Sequence, residues 1–351
     1  MKNITRVSLL SLFLFTFSCK KENDTETPIP NNQAPYSLAS DIKWASPKGF
    51  DLTMDIYSPT SGKSSYPVIV MFHGGSWLIN NKSIMRDASA YLASKSEYII
   101  CNVNYRLLAD QNNTIKINEI VEDALGAVLW VKENISKYKG DPSKIIVTGD
   151  SAGGHLAMMA VLQGQNLETD GFAGKTLGFN PSYLPSGKTA EDIAKSNYLS
   201  VQAAMLSYGV FDVYGSVLSG FENQSNVFWS IANTKPRGVF GEGINPNLNP
   251  DFYKQVSPFY LIPKVTEKKL PPLFFSVGSK DNLTPPSSIV AFINKLKEAG
   301  HNDIQYWVHE GHGHAFLDSG TNAGLGQSFS NDAPPALDKM IEFLNKIFIS
   351  N

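Results

Sequence analysis

The segment 145–156 constrains the fold of this chain more than any other stretch. It reads IIVTGDSAGGHL: a β-branched run, a turn of small residues and the start of a helix-compatible run. The turn at 149–153 is a G-x-S-x-G nucleophile elbow, which holds the hydroxyl of Ser151 above the end of a sheet. Such a motif also occurs by chance in loops, but the flanking strand and helix favour the elbow. Side chains at 149 and 153 would collide with neighbouring backbone, which explains the two glycines.

The segments around the elbow alternate between strand and helix patterns. The apolar run 67–72 is typical of a strand buried on both faces, and helically spaced apolar residues over 117–135 predict a long helix ending near Gly140. This alternation predicts a parallel sheet with right-handed crossovers. Further strands are expected at 42–45, 52–57, 98–103, 201–207, 273–277 and 304–308, and further helices at 286–299 and 335–349.

The composition fits one large α/β domain, which we expect at 40–351. With 351 residues, 42% of them hydrophobic and 18% charged, the chain can bury a sizeable core. Two segments, 163–200 and 212–264, are longer than ordinary connections and are predicted to be lid-like insertions or a substrate wall. A net charge of −2, without a basic cluster beyond the N-terminus, argues against nucleic-acid binding.

The first 18 residues have the pattern of an export signal. Lys2 and Arg6 precede an apolar run at 7–17, which is too short to span a membrane as a helix. Cys19 resembles the lipid-modified cysteine of a bacterial lipoprotein, and an ordinary cleaved signal is the alternative.

The residues after Cys19 complete the expected N-terminal region. The sequence KKEND at 20–24 resembles the segment that directs such lipoproteins to the outer surface, and 19–39 is polar and rich in proline, which predicts a flexible tether. We therefore expect an exported cell-envelope lipoprotein, held at the outer membrane and surface-exposed, whose only membrane association is the lipid anchor.

A serine at the elbow needs a base, a group that orients the base, and donors for an oxyanion. With this elbow the order along the chain is serine, then acid, then histidine, with the last two on loops after the final strands. Asp281 follows the strand at 273–277 and is the predicted acid. Asp212, after the strand at 201–207, is the alternative. The interval between Asp281 and the histidines beyond 308 leaves room for a helix and a strand.

Three histidines occur in the sequence HEGHGHAF at 309–316. We predict His314 as the base, with His312 as the alternative and His309 still in the strand. A metal site formed by the three histidines is a further interpretation, but the glycines at 311 and 313 disfavour the helical spacing of a zinc motif, so we expect no metal. His155, on the helix after the elbow, is expected to pack rather than to act as the base.

The segment HGGSW at 73–77 directly follows a predicted strand and supplies the predicted oxyanion hole. The N–H groups of Gly75 and Ser76, together with that of Ala152 after the nucleophile, are the expected donors. The first two residues of the segment are expected to shape and hold the loop. Trp77 has two readings, as a wall of the substrate pocket or as a core residue.

Five motifs together carry a family resemblance: HGGSW at 73–77, NYRL at 104–107, GDSAGGHL at 149–156, GSKD at 278–281 and HAF at 314–316. Over about residues 40–350 the chain resembles the α/β-hydrolase carboxylesterases of the hormone-sensitive-lipase type, closest to the branch with bacterial feruloyl and acetyl-xylan esterases. The resemblance implies an α/β-hydrolase fold, with a mostly parallel central sheet flanked by helices. Ser76 and Ala315 replace glycines that are usual in the family, and neither change removes a backbone donor.

The resemblance implies hydrolysis of carboxylic esters through an acyl-enzyme, without a cofactor. A tether at the cell surface suits a polymer too large to import, so acetyl or feruloyl groups on plant polysaccharide such as xylan are the expected substrate. A peptidase or amidase on the same fold is one alternative, because the triad also serves amide cleavage. A non-catalytic surface binding protein is another, although it would need neither the triad nor the oxyanion loop.

Overall fold

The computed structural model describes residues 35–173 and 176–349. The expected signal, Cys19 and most of the tether lie outside these residues. The first strand begins at Tyr36, where it pairs with Pro59, and the ring of Tyr36 lies 5.4 Å from that of Tyr57. The folded domain therefore starts before the expected boundary at 40, and the end of the expected tether belongs to the sheet.

Eight strands form a mostly parallel central sheet. They are β1 (Tyr36–Ala45), β2 (Leu52–Pro59), β3 (Tyr66–Phe72), β4 (Ile99–Val103), β5 (Gly140–Asp150), β6 (Ala203–Ser207), β7 (Leu273–Gly278) and β8 (Ile304–His309). Their order across the sheet is β1-β2-β4-β3-β5-β6-β7-β8. In this sheet β2 runs opposite in direction to the other seven strands. Each of the predicted strands is present, and the parallel arrangement of the others is confirmed.

Ten α-helices, besides short 3₁₀ segments, occur in the described residues. They are α1 (Arg86–Lys95), α2 (Asp110–Asn113), α3 (Ile117–Asn134), α4 (Ala152–Gln163), α5 (Ala190–Lys195), α6 (Val213–Leu218), α7 (Val227–Ile231), α8 (Pro250–Gln255), α9 (Pro286–Glu298) and α10 (Phe329–Phe348). A small hairpin, β9 (Thr321–Asn322) and β10 (Gln327–Ser328), precedes α10. Within 35–173 and 176–349, no helix combines the length and the apolar character needed to cross a membrane.

The core lies between the sheet and two helix groups. The strands β3 and β4 are buried almost throughout, as their apolar sequences predict. On the helix side, α3 packs against α4, and α1 packs against α10. The long predicted helix at 117–135 is α3, and its apolar residues are buried.

The last helix begins earlier than predicted. Pro335 was expected near its first turn, but α10 starts at Phe329 and contains Pro334 and Pro335. These prolines remove two N–H donors near the exposed start of the helix, where water can satisfy the freed carbonyl groups. Within the added turns Ala333 is buried and Phe329 packs against the core, which favours the earlier start.

The parallel strands bring their carboxyl ends to one edge of the sheet. Phe72 pairs with Gly149, Asp150 with Ser207 and Gly278 with His309. The loops that follow β3, β5, β7 and β8 therefore meet at this edge, where open α/β sheets bind their ligands. The architecture is the α/β-hydrolase fold, as predicted.

Candidate active site

The elbow between β5 and α4 places Ser151 in a backbone conformation that L-residues rarely adopt, with φ 51° and ψ −116°. The turn is tight enough to exclude side chains at both flanking glycines. A Cβ atom on Gly149 would lie 2.3 Å from the backbone of Gly153, and one on Gly153 would lie 2.0 Å from the carbonyl oxygen of Phe72. The steric prediction for the two glycines is confirmed.

We expect Gly153→Ala to lower the free energy of unfolding by about 3 kcal/mol or more, because the added methyl group meets backbone that cannot move aside. Gly324→Ala is the control. A Cβ there would meet only the Asn322 side chain, at 3.4 Å, and we expect a change below about 0.5 kcal/mol. Urea unfolding of both variants measures the difference. Equal stabilities would contradict the proposed role of Gly153.

The predicted nucleophile, base and acid form one hydrogen-bonded chain. His314 Nε2 lies 2.9 Å from Ser151 Oγ, and His314 Nδ1 lies 2.8 Å from Asp281 Oδ2. Because a carboxylate only accepts, Nδ1–H donates to Asp281, and Nε2 is left to accept from the serine hydroxyl. This arrangement can remove a proton from Ser151.

The surroundings of Asp281 stabilise the ionised form of its carboxyl group. Its side chain is buried, and burial alone would raise the pKa of its carboxyl. The hydrogen bond and charge of His314, together with the backbone N–H of Thr284 at 2.9 Å, outweigh burial and hold the pKa of Asp281 below its ordinary value. Asp281 is therefore a carboxylate near neutral pH, able to fix the orientation of the imidazole.

The other candidates for the acid and the base do not take part in this triad. Asp212 caps α6 by accepting the N–H of Gly215 at 2.8 Å. His312 Nε2 lies 3.2 Å from Asp332 Oδ1, and His309 Nε2 bonds the carbonyl group of Asp332. No group of three or more metal-ligating side chains with suitable geometry occurs in the described part of the chain.

His155 and Trp77 pack against each other inside the protein. The Trp77 Nε1–H donates to His155 Nδ1 at 3.1 Å, so the other ring nitrogen donates to the carbonyl group of Val256 at 2.8 Å. Burial lowers the pKa of His155 to about 4, which keeps the ring neutral. His155 is a packing residue, as predicted. Trp77 is only 1% exposed, which fits a core residue, and it also borders the cavity at Ser151. Its role as a wall of the substrate pocket stays a prediction.

The loop after β3 is anchored at its first two residues. The N–H of Gly74 donates to Asp150 Oδ1 at 2.7 Å, and the hydroxyl of Tyr105 donates to the carbonyl oxygen of His73 at 2.6 Å. The His73 ring stacks on Tyr105, and burial lowers the pKa of His73 to about 4. A neutral, buried His73 holds the loop, as predicted.

The expected oxyanion donors follow these anchors. Gly75 has φ +125°, and a Cβ there would lie 2.2 Å from the carbonyl oxygen of Ile79. Within the described residues, the N–H groups of Gly75, Ser76 and Ala152 have no hydrogen-bond acceptor. Ser76 borders the same cavity as Ser151 and His314. These N–H groups are free to bind an oxyanion, and their catalytic role stays a prediction.

Sequence reasoning missed three supporting residues. Asp150 stands inside the elbow motif, and burial raises the pKa of its carboxyl to about 6, although the charge of His314 and the N–H of Gly74 oppose this. Tyr208, just beyond β6, places its ring 4.7 Å from that of His314. Thr284 Oγ1 lies 3.0 Å from Asp281 Oδ2. Only Asp150 had a signal in the sequence, its place beside the nucleophile.

Ser151 and His314 open into a cavity of about 370 Å³. The insertion 212–264 forms one wall, with Phe221 and Phe228 among its residues, as predicted. The other insertion is different: no described residue of 163–200 lines this cavity. Its Ser182 instead contacts the buried Asp123 beneath the surface, so the expectation of a substrate wall there is wrong.

The sequence model of the BD-FAE family matches residues 54–296. Esterase LipQ of Mycobacterium tuberculosis is 27% identical over 293 residues, which cover 82% of this chain and 60% of LipQ. Carboxylesterase NlhH of the same species is 34% identical over 113 residues, 32% of this chain and 34% of NlhH. The chain thus matches less than two thirds of the length of either relative.

Among solved structures, Thermogutta terrifontis esterase 2 phosphorylated by paraoxon superposes with a TM-score of 0.62. It is 22% identical, and the match covers 92% of this chain and 98% of that one. At this level of identity the likeness shows the shared fold.

Proposed function

This chain belongs to the BD-FAE family, within the hormone-sensitive-lipase type of α/β-hydrolases, and we propose that it hydrolyses carboxylic esters through an acyl-enzyme on Ser151. The observation that carries the proposal is the hydrogen-bonded chain from Ser151 through His314 to Asp281. A serine hydroxyl is a weak nucleophile, and this hydrogen-bonded triad supplies the base that activates it.

In the first half of the reaction, Ser151 Oγ attacks the ester carbonyl carbon while His314 Nε2 accepts the hydroxyl proton. Negative charge develops on the carbonyl oxygen, and the N–H groups of Gly75, Ser76 and Ala152 stabilise it. The carbon–oxygen bond to the alcohol then breaks, and the imidazolium gives its proton to the departing alcohol oxygen. Asp281 stabilises the imidazolium between these two proton transfers.

In the second half, a water molecule attacks the acyl group on Ser151. His314 Nε2 takes a proton from the water, the tetrahedral intermediate collapses, and the proton returns to Ser151 Oγ. The products are a carboxylic acid and the free enzyme. The similarity to LipQ, an esterase, and to NlhH, a carboxylesterase, supports ester cleavage over amide cleavage.

For the natural substrate, we propose acetyl or feruloyl esters on plant polysaccharide such as xylan. The cavity at Ser151 carries serine side chains and aromatic rings on the same wall, which suits a polyhydroxylated substrate. An anchor at Cys19 would hold the enzyme at the outer surface, where such polymers are met. Mass spectrometry of the membrane fraction tests the anchor: an unmodified N-terminal peptide there would contradict it.

The substrate proposal is tested by comparing acid release from acetylated xylan, methyl ferulate and nitrophenyl acetate, with a nitroanilide of acetate as the amide. We expect all rates on esters to exceed the rate on the anilide, and at least one plant-wall ester to be cleaved. Cleavage of nitrophenyl acetate alone would leave ester hydrolysis standing and remove the polysaccharide assignment. A faster anilide rate would favour an amidase, and no cleavage at all would favour a binding protein.

A further inference from the structure

A second cavity, of about 480 Å³, adjoins the one at Ser151. The two share part of their lining, so they form one groove that runs from the nucleophile toward α9. The shared residues are Val210, Ser216, Ser219, Leu283 and Thr284. We call the part of the groove beyond them the distal cavity. Its lining includes Asp212 and Phe259 from the insertion 212–264, and Ser288 and Ala291 from α9.

The distal cavity has the chemistry of a site for a neutral polyol. Ser288 offers a hydroxyl group, Ser219 offers another at the junction with the first cavity, and Asp212 offers a carboxylate whose Oδ1 already caps α6. Among residues 35–173 and 176–349, no lysine or arginine lines either cavity, so these residues provide no lysine or arginine partner for an anionic ligand. Phe259 adds apolar surface, which can pack against the C–H groups of a ring.

The junction of the two cavities is lined by residues of two different elements. Ser216 on α6 and Leu283 on the loop before α9 line both cavities. Leu283 is 55% exposed, although a large apolar side chain is more stable when buried. A ring that entered the groove would cover this side chain.

We infer that the distal cavity binds a saccharide unit of the alcohol part of the ester, while the acyl group lies at Ser151. This inference rests on the proposed ester hydrolysis and adds a location for the sugar. A substrate with a saccharide would then gain contacts that a small nitrophenyl ester lacks.

The test uses tryptophan to fill the distal cavity from α9. Ser288 and Ala291 are exposed and line it, whereas Ser287 is exposed on the same helix and does not. We expect Ser288→Trp and Ala291→Trp each to lower kcat/KM for acetylated xylo-oligosaccharide by about 10-fold or more. Ser287→Trp is expected to retain it within about 2-fold. All three are expected to keep the wild-type rate on nitrophenyl acetate, which also reports on folding.

Two results would overturn the inference, and they differ from failure of the proposed function. Equal kcat/KM for the oligosaccharide ester in the 287, 288 and 291 variants would show that the distal cavity is not used, while ester hydrolysis stands. A wild type that cleaves nitrophenyl acetate but no saccharide ester would remove the saccharide as ligand. Failure of the proposed function itself would appear as no cleavage of nitrophenyl acetate.

Discussion

Replacing Ser151 by alanine is expected to lower kcat for nitrophenyl acetate by at least about 10⁴-fold, because the acyl-enzyme can no longer form. The residual rate would come from the free N–H groups and from substrate binding alone. Since the substitution removes a single oxygen atom from a side chain at the cavity, the fold should persist. Steady-state kinetics and a thermal unfolding curve measure the two effects.

Ser94→Ala is the matched control for this substitution. Ser94 lies on the exposed side of α1, where its hydroxyl donates only to the carbonyl group of Ala90. We expect its kcat to stay within about 2-fold of the wild type. A Ser151→Ala enzyme that kept more than a tenth of the wild-type rate would exclude Ser151 as the nucleophile.

Asp281→Asn should be nearly as damaging, with a fall in kcat of about 10⁴-fold, the size of loss known for this change in Ser–His–Asp triads. Asparagine can present an N–H to His314 Nδ1, which favours the tautomer with its proton on Nε2. That nitrogen would then be unable to accept the proton of Ser151. The side chain keeps its size, so the effect should appear in kcat with little change in stability.

Asp332→Asn is a control of the same chemistry. Asp332 also pairs with a histidine, His312, at 3.2 Å, but this pair does not contact Ser151. We expect the Asp332→Asn enzyme to retain kcat within a few-fold. If Asp281→Asn and Asp332→Asn lost activity equally, the hydrogen bond from His314 to Asp281 would not be the one that activates Ser151.

Much of the site could be predicted because its residues follow strands. The carboxyl ends of parallel strands meet at one edge, so a serine after β5, an aspartate after β7 and a histidine after β8 are brought together once the sheet order is known. The sharp turn at Ser151 could be predicted from the sequence because only glycine tolerates the close backbone contacts at positions 149 and 153. The order along the chain then narrowed the acid to Asp281 or Asp212 and the base to His314 or His312, of which Asp281 and His314 were the predicted pair.

Other features depend on contacts between distant segments, which local patterns do not encode. Asp150 anchors Gly74 across the gap between two strands, and the ring of Tyr208 packs on His314 from the loop after β6. The position of the insertion 163–200 also depends on contacts with a distant segment, so the prediction for it was wrong. Its length predicted a wall of the cavity, but the contact of Ser182 with Asp123 places that part of it against α3.

The start of α10 shows that local sequence rules can also misplace the end of a helix. Proline at the first turn is a sound local rule, yet Pro334 and Pro335 lie inside the helix. In the added turns Ala333 is buried and Phe329 packs against the core, which favours a longer helix than the local sequence does. Tertiary packing decided this boundary.

The central claim is that Ser151 is the nucleophile activated by His314. Mass spectrometry of the enzyme after reaction with a fluorophosphonate tests it most directly, because the reagent leaves a stable adduct on an activated serine. We predict one adduct per chain, on the peptide that contains Ser151, and a much slower reaction in His314→Ala. An ester-cleaving enzyme that carried its adduct on another residue, or that reacted equally fast without His314, would contradict the account.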